Sequence, residues 1–72
     1  MPFVNIKLTG DEEAPSREQK ERLIEGVTRL IADVLGNQTH LVVVIDEVPM
    51  DNYGINGRSV RRIRADKKSA AD

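Results

Sequence analysis

Pro2 is the residue whose chemistry stands out first, because it directly follows Met1. A small second residue allows Met1 to be removed, which leaves Pro2 with a free secondary amine on a rigid ring. An ordinary α-amino group titrates near about 7.7–8.0, and burial or nearby cations lower that pKa. Such an amine can act at neutral pH as a general base toward a carbon-bound proton. The simpler alternative is a proline that only begins a strand, where no ladder hydrogen bond is lost.

The length of 72 residues predicts a single domain over residues 1–72, with a core too small to be stable alone. There is no cysteine and only one histidine, which argues against a disulfide framework, a zinc site or a thiol nucleophile. We therefore expect no metal, and we expect self-association to supply the missing stability.

Composition also limits the compartment and the partners. A hydrophobic fraction of 39% beside a charged fraction of 32% is typical of a globular protein. No apolar run approaches the roughly 20 residues that cross a bilayer, and the start lacks a secretory pattern. These features predict a cytoplasmic protein without a membrane partner.

The basic residues are concentrated at the C-terminal end. Such an end can attract an anionic partner, or it is simply solvated. It holds no aromatic residue for base stacking and the net charge is −1, so a nucleic-acid partner is disfavoured. The basic residues of 58–72 are Arg58, Arg61, Arg62, Arg64, Lys67 and Lys68, against Asp66 and Asp72.

The first two thirds of the chain predict a strand, a helix and a second strand. Alternating apolar residues indicate a strand over residues 3–8, and the run 41–45 is apolar and β-branched, as in a covered strand. Between them, Ser16 and Gln19 form a capping-box pattern ahead of a helix from about Arg17 to Leu35. Short connections make this a βαβ unit with parallel strands, hence an α+β fold.

The remaining residues predict smaller elements. Residues 50–57 mix turn formers with two apolar residues and indicate a hairpin. From Arg58 we expect a strand or short turn that pairs with another subunit, then a frayed tail over about residues 65–72. One sheet face, with Phe3, Val42 and Val44, stays bare, so a second copy should pack there and complete the core, and larger rings would cover the sheet edges.

Three features occur in order along this sequence: Pro2 at the start, a helix that opens with Glu18, Gln19 and Lys20, and a hairpin of Tyr53, Gly54, Ile55, Asn56 and Gly57. In these features and their spacing the chain resembles the 4-oxalocrotonate tautomerase family over about residues 2–62. The resemblance implies a βαβ subunit, dimers in which two subunits complete a four-stranded sheet, assembly of these dimers into a homohexamer, and no cofactor. It also implies a keto-enol tautomerase, an isomerase in which the free Pro2 amine moves a proton on an enol or dienol acid such as 2-hydroxymuconate.

The resemblance also implies further substrate-binding residues. An aromatic residue at the place of Tyr53 forms a pocket wall that helps to keep the amine neutral, and the Tyr53 hydroxyl can donate to an enolate oxygen. We add Leu8, His40, Arg17 and Arg62 as candidate contacts with the substrate. The alternative to substrate binding is that His40 only precedes the second strand, and that Arg17 and Arg62 are ordinary surface charges.

The best-known members of the family hold the substrate's carboxylates and polarise its carbonyl with two arginines, one in the loop after the first strand and one in the second strand. Neither arginine is present at its place in this chain. The loop after the first strand is acidic and about three residues longer, and the position in the second strand holds Val42. Valine cannot imitate a bidentate guanidinium–carboxylate contact. The sequence therefore predicts a weaker preference for two carboxylates. Arg17 could reach back from the first helical turn, and neighbouring subunits could supply Arg58, Arg61 or Arg62; the alternative for each is an ordinary surface charge.

A second function remains open. The same scaffold can serve as a non-catalytic homo-oligomeric binding protein whose basic C-terminal tail contacts an anionic partner.

Overall fold

The computed structural model describes the backbone of residues 2–71 and the side chains of residues 2–68. Met1, whose removal is expected from the sequence, lies outside these residues. In chain order the regular elements are β1 (Phe3–Thr9), a 3₁₀ turn (Asp11–Glu13), α1 (Arg17–Leu35), β2 (Val42–Val48), a second 3₁₀ turn (Met50–Asn52), β3 (Gly54–Ile55), β4 (Arg58–Ser59) and α2 (Val60–Ala71).

The predicted parallel βαβ unit is confirmed. Strands β1 and β2 pair in parallel from Phe3 opposite Val42 to Thr9 opposite Val48. Strand β2 begins one residue later than predicted and ends three residues later. The extra residues Asp46 and Glu47 are charged but have partners, since Lys7 Nζ lies 2.6 Å from Asp46 and Lys20 Nζ lies 2.5 Å from Glu47.

The helix boundaries of α1 agree with the sequence prediction. The Gln19 amide donates to Ser16 Oγ at 3.1 Å, and the Ser16 amide donates to Gln19 Oε1 at 2.9 Å. These bonds satisfy amides that the first helical turn leaves unpaired. The helix ends where Gly36 takes a φ of 85°, which favours glycine.

Helix α1 covers one face of the two-stranded sheet. Lys20 of α1 forms an ion pair with Glu47 of β2, and Glu47 lies opposite Leu8 of β1 in the strand register. The side chains of Glu47 and Leu8 are therefore on the sheet face that α1 covers. The opposite face is bare: Phe3 is 66% exposed and Val44 is 37% exposed. This confirms the uncovered face predicted from the strand pattern.

Few side chains are fully buried in the single chain. Within the described residues the buried apolar side chains are Met50 and Val60, whereas Leu30 and Val34 of α1 are 61% and 72% exposed. The radius of gyration is 16.0 Å, against about 11 Å for a compact domain of this length. One copy alone therefore leaves much apolar surface in contact with water.

The C-terminal region contains the predicted hairpin and an unpredicted helix. Strands β3 and β4 are antiparallel around Asn56 and Gly57, with φ of 53° and 85°, angles typical of a tight hairpin turn. The strand predicted from Arg58 is present as β4, although it is two residues long and pairs with β3 of its own chain. Helix α2, which was not predicted, begins at Val60, whose amide donates to the Tyr53 carbonyl at 2.7 Å. Residues 65–71 continue the α2 backbone. The tail prediction also includes residue 72, which lies outside the described residues.

No helix within residues 2–71 combines the length and apolar character that crossing a bilayer requires.

Candidate active site

Pro2 lies at the amino-terminal end of the sheet. Its side chain is half-buried, and its carbonyl accepts a hydrogen bond from the Val42 amide at 3.1 Å. This bond ties the start of the chain to the start of β2. His40 is two residues before Val42 and exposed, so it lies at the same end of the sheet as Pro2.

A groove of about 570 Å³ lies at the other end of β1, between the loop that follows the strand and the first turns of α1. Leu8 is one of its lining residues. From Pro2 to Leu8 the strand spans about 20 Å, at roughly 3.3 Å per residue. The two residues of one chain therefore cannot contact the same small molecule. The apolar lining residues are Leu8, Ala14, Pro15 and Leu23.

Three of the four polar residues that line the groove are already bonded within the chain. Thr9 Oγ1 donates to Glu13 Oε1 at 2.6 Å, and Gln19 Oε1 accepts from the cap of α1. Glu13 is also held by Arg64, whose Nε lies 2.7 Å from Oε2. The fourth, Arg22, makes no ion pair and no side-chain hydrogen bond within the described part of the chain.

The Glu13 carboxylate is held in its charged form. The hydrogen bond from Arg64 lowers the pKa of Glu13, and the bond from Thr9 lowers it further. The same contact with Glu13 raises the pKa of Arg64. The Glu13–Arg64 pair is therefore neutral overall, and the uncompensated charge along the groove is that of Arg22.

Tyr53 lies beyond the carboxyl end of β2, on the turn that leads into β3. It is half-buried and is not one of the residues lining the groove. The turn before it is fixed from two directions, because the Asn52 amide donates to the Pro49 carbonyl at 2.8 Å and the Met50 amide donates to Asp11 Oδ2 at 2.9 Å.

Arg61 joins this turn to the acidic loop. Its Nε donates to Asp51 Oδ1 at 2.6 Å and its Nη2 donates to Asp11 Oδ2 at 3.0 Å. The bond to Asp51 is the main reason that the pKa of Arg61 is raised. No partner for the acidic loop was predicted from sequence. The spacing of Arg61 and Arg64 was a sequence signal that could have predicted these contacts with the acidic loop, because a helix places the two side chains on one face.

The remaining predicted arginines have their own positions. Arg17 has a side chain 94% exposed, with Nε 3.8 Å from Glu21 Oε1. Arg58 pairs with Asp66. Arg62 is exposed on α2, and neither Arg17 nor Arg62 lines the groove. Arg22 was not named from sequence, although Gln19, Arg22 and Leu23 share one helix face by their spacing.

No group of three or more potential metal-binding side chains, counting His, Cys, Asp and Glu, occurs among the described residues.

Comparison with known proteins defines the class. A sequence profile described as "Tautomerase enzyme" matches residues 2–63. A "Probable tautomerase" from Helicobacter pylori is 51% identical over 65 residues, which are 89% of this chain and 96% of that protein. A "2-hydroxymuconate tautomerase" from Comamonas testosteroni is 39% identical over 64 residues, 88% of this chain and 97% of that one.

A solved structure agrees in fold. The crystal structure of TomN, described as a 4-oxalocrotonate tautomerase homologue in the tomaymycin biosynthetic pathway, matches with a TM-score of 0.79 and 28% identity, over 89% of this chain and 95% of that one. The chain belongs to the tautomerase family. Its activity class is accordingly that of a tautomerase, an isomerase, and the resemblance to 4-oxalocrotonate tautomerases is confirmed.

Proposed function

We propose that this enzyme, after loss of Met1, moves a proton on an enol or dienol carboxylic acid with Pro2 as both base and acid, without a cofactor. The free amine takes the proton of the enol O–H, the double bond shifts to form the carbonyl, and the prolinium returns a proton to carbon. The observation that supports this most directly is a family match that begins at residue 2. The 2-hydroxymuconate named for the Comamonas relative suggests the first substrate to test.

The proposal includes an assembled active site. The bare face around Phe3 and Val44 supports self-association, and we take from the family resemblance a dimer with a four-stranded sheet and its assembly into a hexamer. Because Leu8 lies about 20 Å from the Pro2 of its own chain, it contacts the substrate beside the Pro2 of another copy. Tyr53 serves as wall or donor to the enolate oxygen. His40, Arg17 and Arg62 stay predictions.

Two variants test the role of Pro2. Mass spectrometry establishes loss of Met1, and ketonisation of 2-hydroxymuconate and phenylenolpyruvate is then followed for wild type and for Pro2→Ala. General-base catalysis contributes about 10²–10⁴-fold, and Pro2→Ala keeps only a primary amine without the rigid ring, so we expect kcat/KM to fall by up to that factor. A protein with one extra glycine before Pro2 is the matched variant, since it keeps the ring but converts its nitrogen to an amide. Wild-type activity in either variant would contradict the proposal.

The binding-protein alternative has less support than the enzyme. It requires the basic residues of 58–72 to be free for an anionic partner, yet three of the four arginines there, Arg58, Arg61 and Arg64, are paired with carboxylates of their own chain.

A further inference from the structure

Among the described residues that line the groove beside α1, one charged side chain has no ion-pair partner and lies next to apolar walls, and this combination selects a ligand. Thr9 Oγ1 donates to Glu13, Gln19 accepts through Oε1 from the Ser16 amide, and the charge of Glu13 is balanced by Arg64. Arg22 keeps an unpaired guanidinium within the part of the chain that the structure describes. An unpaired guanidinium next to apolar surface fits a planar anion, and a carboxylate matches its fork of donors.

The other arginines are less suitable for this role. Arg17, Arg58, Arg61 and Arg64 each have a carboxylate within 4.0 Å. Arg29 and Arg62 have no such partner among the described residues, but neither lines the groove. Arg22 is thus the arginine that combines a free guanidinium with a concave, partly apolar surface.

From these contacts we infer that Arg22 binds the substrate carboxylate, and that the preferred substrate is an enol acid with a single carboxylate and an apolar body. This inference rests on the proposed function and deepens it. One cation serves one carboxylate, and the walls at Leu8, Ala14, Pro15 and Leu23 suit an apolar ring or chain rather than a second anion. The proton is moved by Pro2 of a neighbouring copy, because the strand separates the groove from the Pro2 of its own chain.

Binding tests the groove without reference to catalysis. The probe is 3-phenylpropanoate, an unreactive monocarboxylate, titrated by calorimetry into wild type and into Arg22→Gln, with 3-phenylpropanamide as the uncharged equivalent. Hydrogen bonds to charged groups lead us to expect about 10- to 100-fold weaker binding of the acid by Arg22→Gln and no difference for the amide. Unchanged binding of the acid, or equal weakening of acid and amide, overturns the inference.

Kinetics supply the matched control. Arg22→Gln should raise KM for phenylenolpyruvate by about 10- to 100-fold with a smaller change in kcat, since the lost contact is made in the ground state as well. Arg29→Gln, on the same helix and also without an ion pair within residues 2–68, should leave both constants within about twofold. Arg22→Lys keeps the charge without the fork and should lie between them. Equal effects of Arg22→Gln and Arg29→Gln overturn the assignment.

A mixing experiment tests whether two copies share the site. Pro2→Ala and Arg22→Gln subunits are unfolded together in urea and refolded, and native mass spectrometry verifies mixed assemblies. At a substrate concentration well below KM, activity above that of either parent is expected, because some sites then combine an intact Pro2 with an intact Arg22. Activity equal to the average of the parents contradicts a shared site. Full activity of Pro2→Ala would instead overturn the proposed function, while the binding of 3-phenylpropanoate would still report on Arg22.

Discussion

Arg61 and Asp11 are 50 residues apart in sequence, yet Arg61 Nη2 lies 3.0 Å from Asp11 Oδ2. The same carboxylate oxygen accepts a hydrogen bond from the Met50 amide. A single aspartate therefore connects the loop after β1, the turn that leads to Tyr53, and α2. The acidic loop has a structural role in holding the C-terminal half of the chain against the sheet.

Asp11 should be more important for stability than its exposure suggests. Asp11→Ala removes the acceptor of the part-buried Met50 amide and places alanine at a φ of 55°, so we expect the free energy of unfolding to fall by about 1–3 kcal/mol. Asp11→Asn keeps an acceptor and tolerates that φ, and should cost less. Urea unfolding followed by circular dichroism at one fixed protein concentration measures both. Asp33→Asn on α1 is the control, and an Asp11→Ala protein as stable as this control would contradict the prediction.

The contact between Glu13 and Arg64 should make stability depend on pH in the acid range. The pKa of Glu13 is lower in the folded chain than its usual 4.5, so the folded state binds this proton less readily than the unfolded state. The contribution is present above about pH 4.5 and is lost as pH falls through the folded pKa. In Arg64→Gln the decline in stability below pH 5 should be shallower than in wild type.

Acid unfolding curves at fixed salt measure this difference. Glu25→Gln, on the exposed side of α1, should leave the curve unchanged. An Arg64→Gln curve parallel to wild type would show that another carboxylate controls the acid range.

Glycine replacements should act in opposite directions at two sites. Gly57 has a φ of 85° in the hairpin turn, so Gly57→Ala should destabilise by about 1–2 kcal/mol. Gly26 is inside α1, and a Cβ there would meet no atom within 4 Å, so Gly26→Ala should stabilise by about 0.5–1 kcal/mol. Thermal unfolding of the two variants at equal concentration gives the comparison. The same sign for both would contradict these backbone assignments.

The bare sheet face should control assembly. Val44 is 37% exposed in the single chain, and a carboxylate there would be buried without a partner if a second copy covers this face. Val44→Asp should therefore sediment as a smaller species than wild type at micromolar concentration. Asn52→Asp, on the exposed turn before Tyr53, should sediment as wild type. A folded wild-type monomer at this concentration would refute the oligomer itself.

Local signals explain why part of the fold was predictable. The capping box at Ser16 and the glycine at position 36 mark the two ends of α1, and alternation identifies β1. Helix α2 was missed because Val60 and Ile63 are its only clearly apolar anchors in sequence. Its stabilising contacts join residues about 50 positions apart, such as Arg64 with Glu13.

Some residues of the candidate site could likewise be identified from sequence, and others could not. Pro2 could be named from the chemistry of its amine, and Leu8 and Tyr53 from the family resemblance. Arg22 could not, because its availability depends on which other arginines have found carboxylates. Those pairings form between distant segments and are visible only in three dimensions.

The small number of fully buried side chains in one copy bears on how this protein reaches its native state. A newly synthesised chain has little interior of its own to collapse around, so most of the driving force becomes available on encounter with another chain. Refolding should then be second order at low concentration, and the urea midpoint should rise as the protein is concentrated.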